Sequence, residues 1–265
     1  MNNRYLGALI IAPFILLLFI GGVYLKYAIM VLSLMGMYEF YGAASKKGIN
    51  PISIIGYLVC IIYYISINNY YNYKFVFLST VITLFALMCI TVLDLKYNFI
   101  DISITILGFL YSAVFFSFIV LIYNLNYGNY FVWLIFISSW LCDTGAYYSG
   151  KFFGKNKLCP KLSPKKTIEG SIGGIISSTI GCFLFGLFSI YRQVPMSIYH
   201  YVAIGILCGV FSQFGDLFAS SIKRYAGIKD YSNLIPGHGG ILDRFDSILF
   251  SGVVVYFYLI FLNLV

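Results

Sequence analysis

Along most of this chain apolar residues continue without alternation, and polar residues gather in short interruptions. Runs of about 18 residues or more can cross a hydrocarbon core of about 30 Å as helices. Their continuity argues against a membrane barrel, whose strands alternate apolar and polar positions. Taking the interruptions as connections predicts nine spans, at residues 5–22, 27–45, 52–67, 75–93, 102–123, 130–149, 171–191, 198–221 and 243–263. No small-residue cleavage site follows residues 18–22 and a second apolar run begins at once, so the first run is kept as a spanning helix rather than a secretion signal. The Tyr-rich interruption at 68–74 suits a membrane interface, where an aromatic ring has one apolar and one wet neighbour. The pattern predicts an all-α polytopic integral membrane protein of about nine transmembrane helices.

Composition strengthens this reading: 61% of the residues are hydrophobic, against about 45–50% in soluble domains, so an ordinary soluble fold is excluded. The net charge of +8 would suggest nucleic acid in a soluble protein, but here its placement reports topology and anionic ligands. With the N-terminus cytoplasmic, fourteen of the seventeen basic residues fall on the inner side, leaving Lys26, Lys74 and Arg192 outside. The two basic loops, 150–170 and 222–242, then both face the cytoplasm. The six cysteines are scattered singly and form no Cys-x-x-Cys pair, so they are taken as small hydrophobes, with neither disulfide nor zinc implied. Residues 1–128 are taken as a scaffold of N-terminal helices and 129–265 as the catalytic membrane region. Within the scaffold, Glu39 lies mid-helix and has two readings, a site role or a helix-packing hydrogen bond. Asp94, Lys96 and Asp101 read as a solvated connection.

The chemistry concentrates between Ser221 and Asp246. In a chain with only 10% charged residues, this stretch holds Lys223, Arg224, Lys229, Arg244, Asp230, Asp243, Asp246 and His238. A solvated basic loop would explain the cations, but not Pro236-Gly237-His238-Gly239-Gly240 running straight into Asp243 and Asp246. Upstream, Ser212, Asp216, Ser220 and Lys223 recur at helical spacing and share one face. Asp216, Asp243 and Asp246 would repel one another unless cations neutralise them, and hard oxygen donors beside a phosphate substrate suit magnesium. Asp143, one turn from Ser139 and Tyr147, is a further carboxylate for the same site. His238 is either a general base or a hydrogen-bond partner for phosphate or backbone, while His200, with no acidic neighbour, is structural.

The loop 150–170 carries six lysines, which suit either a lipid-headgroup patch or a polyphosphate site. Ser163, Lys165, Lys166 and Thr167 precede a helix expected near Ser171, and Gly170, Gly173 and Gly174 allow close backbone approach. Hydroxyls, ammonium groups and free N–H groups at a helix start make a triphosphate site, although the P-loop order is absent.

Three blocks together resemble one family. Ser221, Lys223 and Arg224, then Lys229-Asp230, then Pro236, His238, Gly239, Gly240, Asp243, Arg244 and Asp246 look like the signature of phosphatidate cytidylyltransferases, the CDP-diacylglycerol synthases. Asp143-Thr144-Gly145-Ala146-Tyr147 with Ser163-Pro164-Lys165-Lys166-Thr167-x-Glu169-Gly170, and Gly215-Asp216-Leu217, resemble that family's other blocks. The likeness covers Trp140 to Asp246; the first 130 residues share mainly their hydrophobicity. It implies conversion of CTP and phosphatidic acid to CDP-diacylglycerol and pyrophosphate, in phospholipid biosynthesis, at the cytoplasmic face of a bacterial-type inner or plasma membrane. By the same resemblance Asp216 and Asp243 hold the metal with Asp246 close by, while Ser163, Lys165 and Lys166 meet the nucleotide phosphates. Lys223, Arg224 and Arg244 would meet the lipid head or the leaving pyrophosphate. Thr167, Lys229 and Asp143 complete the expected substrate-binding set. Magnesium, with room for a second metal or a monovalent cation, is the expected cofactor. CTP, phosphatidic acid and membrane lipids are the expected partners, nucleic acid is not, and a homodimer is the assembly to be tested. One departure is Ala219-Ser220, where many members have Glu-Ser. A CTP-dependent lipid-alcohol kinase and, from another class, a transporter are the competing readings; the lack of any visible inverted repeat weighs against the second.

Overall fold

The computed structural model describes residues 15–67, 81, 85–90, 92–235, 237 and 239–262. The span expected at 75–93 and the start of that expected at 5–22 lie largely outside these residues, as do the Tyr-rich turn and His238. The described chain is helical apart from one small hairpin. In order it forms α1 (Gly22–Ser45), α2 (Ser53–Ser66), α3 (Phe99–Gly108) running through a π turn into α4 (Phe115–Tyr123), and α5 (Gly128–Phe153). The strands β1 (Lys157–Cys159) and β2 (Ser163–Thr167) follow, then α6 (Ile168–Tyr191), α7 (Ile198–Ala226) and α8 (Leu242–Phe261).

Among the described residues five helices are long and apolar enough to cross a membrane: α1, the continuous 99–123, α6, α7 and α8. The expected span 52–67 corresponds to the shorter apolar helix α2. The span expected at 130–149 is helical as α5 but is not one of the five; from Ser138 to Gly150 its residues are mostly hydroxylated, small or polar, which lowers its hydropathy. The chain forms two compact units, residues 1–117 with 225–244 and residues 118–224 with 245–265.

In the first unit, polar groups fix the helix ends. Asn98 caps α3 by accepting from the amides of Ile100 and Asp101, and the Asp101 carboxylate accepts from the Asn98 amide in return, a capping box. Asp101 also accepts from the amide of Asn50 at 2.7 Å and is buried. It is therefore a structural clamp rather than part of the solvated connection expected at 94–101. In the π turn Phe109–Val114, the Ala113 carbonyl accepts from the Tyr64 hydroxyl at 3.0 Å. Such turns disturb the usual backbone ladder, and here a side chain serves one of its carbonyls.

In the second unit, α5 and α6 approach through small residues. A Cβ added at Gly145 would collide with Ser177, and one at Gly173 with Ser149. This is the packing expected where helices have no hydrophobic drive to associate and rely on close backbone contact. Antiparallel β1 and β2 close the connection from α5 to α6. The Ser178 hydroxyl donates to the Gly205 carbonyl of α7 at 2.8 Å, and the Ser139 hydroxyl donates to Ser251 of α8 at 2.8 Å.

Candidate active site

In the second unit a cavity of about 370 Å³ lies between α5, the hairpin, α6 and α7; Asp143, Tyr147, Lys165, Lys166, Gln213 and Asp216 are among its lining residues. Local chemistry explains how the hairpin delivers its lysines. The Thr167 hydroxyl accepts from the Gly170 amide at 3.1 Å and caps α6, ending β2 and starting the helix in one step. Two residues on, Glu169 reaches back to accept from the amides of Lys155 and Asn156 and from the Asn156 side chain. Both ends of the connection are thus anchored near the start of α6, with Lys165 and Lys166 lining the cavity between them.

Opposite charges meet there. The Lys166 ammonium lies 2.5 Å from an Asp216 carboxylate oxygen, and the other oxygen accepts from the Ser220 hydroxyl at 3.4 Å. One helical turn before Asp216, the Gln213 amide nitrogen donates to the carbonyls of Ser171 at 3.1 Å and Gly209 at 2.8 Å. Asp246 is buried; one of its oxygens accepts from the Ser247 amide at 2.7 Å. The negative charges of Asp216 and Asp143 act on it, as does the positive charge of Lys223. A buried carboxylate repelled by two more exposed ones favours a bound cation, and hard oxygen donors fit a magnesium ion. Among the described residues, no three His, Cys, Asp or Glu side chains are grouped closely enough to hold a metal ion together.

The first unit holds the other polar connection. Gly227, Gly237 and Gly239 take positive φ of 73°, 74° and 83°, where a side chain would be strained, so the glycine-rich signature is a backbone requirement. Ile235 and Gly239 pair across the turn, with the Ile235 amide donating to the Gly239 carbonyl at 2.9 Å. One Asp243 oxygen accepts from the amides of Tyr231 at 2.8 Å and Gly240 at 2.9 Å. Glu39, on α1, accepts from the Ser232 hydroxyl at 2.6 Å, the Ile241 amide at 2.9 Å and the Leu242 amide at 2.8 Å. Two readings were open for Glu39, a site role or a helix-packing hydrogen bond; its bonds run to the signature loop and the start of α8.

The cavity therefore gathers Asp143, Lys165, Lys166, Thr167 and Asp216 from the expected set. Ser163 does not line it and instead pairs with Cys159 in the hairpin. Arg224, at the end of α7, donates to the Leu162 carbonyl at 3.3 Å beside that hairpin. Lys229, Asp243 and Arg244 belong to the first unit. His200 bonds the Tyr258 hydroxyl at 3.1 Å, consistent with a structural role. Sequence reasoning missed Gln213 and Lys151, which also line the cavity. Gln213 was within reach, since it lies three residues before Asp216 on the same helical face. Sequence reasoning named Glu169 within a family block but gave it no role, since that role depends on a turn that no periodic pattern announces.

The model of the cytidylyltransferase family matches residues 2–262. The phosphatidate cytidylyltransferase of Bacillus subtilis (strain 168) is 40% identical over 164 residues, covering 62% of this chain and 60% of that protein. That of Staphylococcus saprophyticus is 38% identical over 167 residues, covering 63% and 62%. These alignments span less than two thirds of both relatives. The phosphatidate cytidylyltransferase of Staphylococcus haemolyticus is 34% identical over 253 residues, covering 94% of this chain and 95% of that protein.

Proposed function

The chain belongs to the cytidylyltransferase family, and on that premise we propose that it joins CTP to phosphatidic acid, forming CDP-diacylglycerol and pyrophosphate. The observation that carries this reading is the cavity in which Lys165 and Lys166 face Asp216 and Asp143, a site with cations for a triphosphate and carboxylates for its counter-ion. A phosphate oxygen of phosphatidic acid attacks the α-phosphorus of CTP, the bond from that phosphorus to the bridging oxygen breaks, and pyrophosphate leaves with the electron pair. The nucleophile is already an anion, so the protein supplies positioning and charge rather than a strong base. Two polyanions must meet, which gives the basic loops and the carboxylates one purpose.

Lys165 and Lys166 bind the nucleotide phosphates, with Ser163 and Thr167 as the hydroxyls the sequence places beside them. A triphosphate entering the cavity competes with Asp216 for Lys166, so nucleotide arrival uncovers a carboxylate oxygen. Asp216 and Asp246 hold the divalent ion, with Asp243 as the further carboxylate named by the sequence. When bound, magnesium offsets charge on the reacting phosphates. Lys223, Arg224 and Arg244 serve the lipid phosphate or the departing pyrophosphate, and Lys229 and His238 belong to the same signature. We place the N-terminus and the site on the cytoplasmic side of a nine-span protein, supported by the concentration of basic residues in loops 150–170 and 222–242.

The test is an assay of the purified full chain in lipid nanodiscs with phosphatidic acid, magnesium and CTP labelled in the cytosine ring. Label should enter the lipid fraction in step with pyrophosphate release, and chelation should stop both until magnesium is returned. Transfer of label from the γ-phosphate with cytidine left in water would instead identify a lipid kinase and overturn the reading.

A further inference from the structure

The segment that carries the family signature is bonded to a carboxylate from nearly two hundred residues earlier in the chain. Glu39 is only 2% exposed. One of its oxygens accepts from the Ser232 hydroxyl and the Ile241 amide, and the other accepts from the Leu242 amide. Leu242 is the first residue of α8, so two of these bonds use N–H groups that a helix start leaves without internal partners. The positive end of the helix dipole further favours a carboxylate there. Asp243 completes the arrangement by accepting from Tyr231 and Gly240. Between them, two carboxylates bind the amides at 231, 240, 241 and 242.

The fit leaves no spare room. A Cβ on Gly240 would come within 2.5–2.6 Å of the Glu39 carboxyl group, and one on Gly36, a turn earlier on α1, would lie 3.2 Å from Leu242. Gly240 must therefore be glycine for Glu39 to approach the backbone, which gives that signature position a physical cause. The carboxylate also cannot be exchanged for an amide without loss. Glutamine would turn an N–H₂ group toward at least one of the donors that Glu39 now accepts.

We propose that Glu39 is a positioning residue: by bonding both ends of the loop 232–241 and the first turn of α8, it sets the orientation of Asp243 and Arg244 for nucleotidyl transfer. This rests on the reaction proposed above, and extends it to the first helices, which contribute a specific group to the working segment as well as a membrane scaffold. The nucleotide-binding lysines lie in the second unit, so disturbing Glu39 should impair turnover more than CTP binding.

The experiment compares the unaltered full chain with Glu39→Gln and Ser232→Ala in nanodiscs. It measures kcat for CDP-diacylglycerol formation, CTP bound per chain at equilibrium, and hydrogen exchange at residues 231–242. Displacement of reacting groups by about an ångström can cost about a hundredfold in rate, so Glu39→Gln should lower kcat by about ten- to a hundredfold. The CTP dissociation constant and stoichiometry should stay within about threefold, because the lysines that bind phosphate are untouched. Exchange should accelerate at Gly240, Ile241 and Leu242 ahead of the rest of the chain. Ser232→Ala keeps both backbone bonds and should lower kcat less, again with CTP binding intact. Unimpaired kcat in Glu39→Gln would overturn the role. Loss of CTP binding together with faster exchange throughout the chain would also overturn it, showing a general support of the fold. If Glu39→Gln cannot be purified, Ser232→Ala decides by the same criterion. An unaltered chain that makes no CDP-diacylglycerol sinks the reaction and the role together; a productive unaltered chain with a fully active Glu39→Gln sinks the role alone.

Discussion

The two polar connections solve one problem in different ways. Each ends at the start of a helix, 154–167 at α6 and 227–241 at α8, and in each a carboxylate gathers backbone amides. In the first, Glu169 comes from the helix itself, 13 or 14 residues from its partners, and Thr167 supplies a local cap. In the second, Glu39 comes from 193 to 203 residues away. The first connection takes its amide-binding carboxylate and its cap from the helix it leads into, with Arg224 of α7 donating to its Leu162 carbonyl, and presents its lysines to a cavity. The second needs another helix to hold its shape, and its acids are engaged with backbone. Locally built loops tolerate distant change, whereas a loop held from afar makes its function hostage to the element that holds it.

The sharpest test of that contrast places one substitution in each unit. Asp216→Asn and Asp243→Asn should each reduce CDP-diacylglycerol formation by about a thousandfold, the scale on which removal of charge stabilisation in a transition state is felt. Membrane insertion should be unchanged. The two variants should differ in hydrogen exchange: Asp243→Asn loosens the amides of Tyr231 and Gly240, and Asp216→Asn leaves them protected. Activity of Asp243→Asn within about tenfold of the parent would confine that residue to loop support.

A smaller loss is expected at the cavity's cation. Lys166→Ala should lower kcat/KM for CTP by about ten- to a hundred-and-fiftyfold, corresponding to the roughly 1.5–3 kcal/mol of a charge-assisted hydrogen bond. The dependence on phosphatidic acid should change little, and unaltered CTP dependence would reject the phosphate role. At the second connection, Gly240→Ala should lower turnover by about tenfold with CTP binding kept, because the added methyl displaces the Glu39 carboxylate.

What could be seen in the sequence follows the same local and distant division. The apolar runs, the helix face of Asp216, and the grouping of Lys165 and Lys166 before a helix start were legible because each is written in neighbouring residues. The short hairpin that pairs Ser163 with Cys159 was not foreseen, because it has no apolar alternation to announce strands. Asp101 should have been recognised: Asn98 and Asp101 stand three apart at the head of an apolar run, the spacing of a capping box. Its bond to Asn50 could not have been, and neither could the partners of Glu39. Contacts between distant segments leave no period in the chain, so an acid within an apolar helix advertises only that some partner exists.

The smallest expected effect lies at Glu169. Substitution by Gln removes the charge but keeps one oxygen to accept from Lys155 or Asn156, and the Thr167 cap remains. Local stability should fall by about 1 kcal/mol, the net value of an ordinary hydrogen bond. CTP affinity should then weaken by about three- to fivefold through a less rigid hairpin, with kcat nearly preserved, since about 1 kcal/mol corresponds to that ratio. Glu39→Gln has the opposite signature, with kcat falling and affinity kept. If Glu169→Gln instead lowered kcat as far as Glu39→Gln does, the hairpin would be setting the geometry of transfer as well as holding nucleotide. The contrast between a binding loop and a positioning loop would then fail.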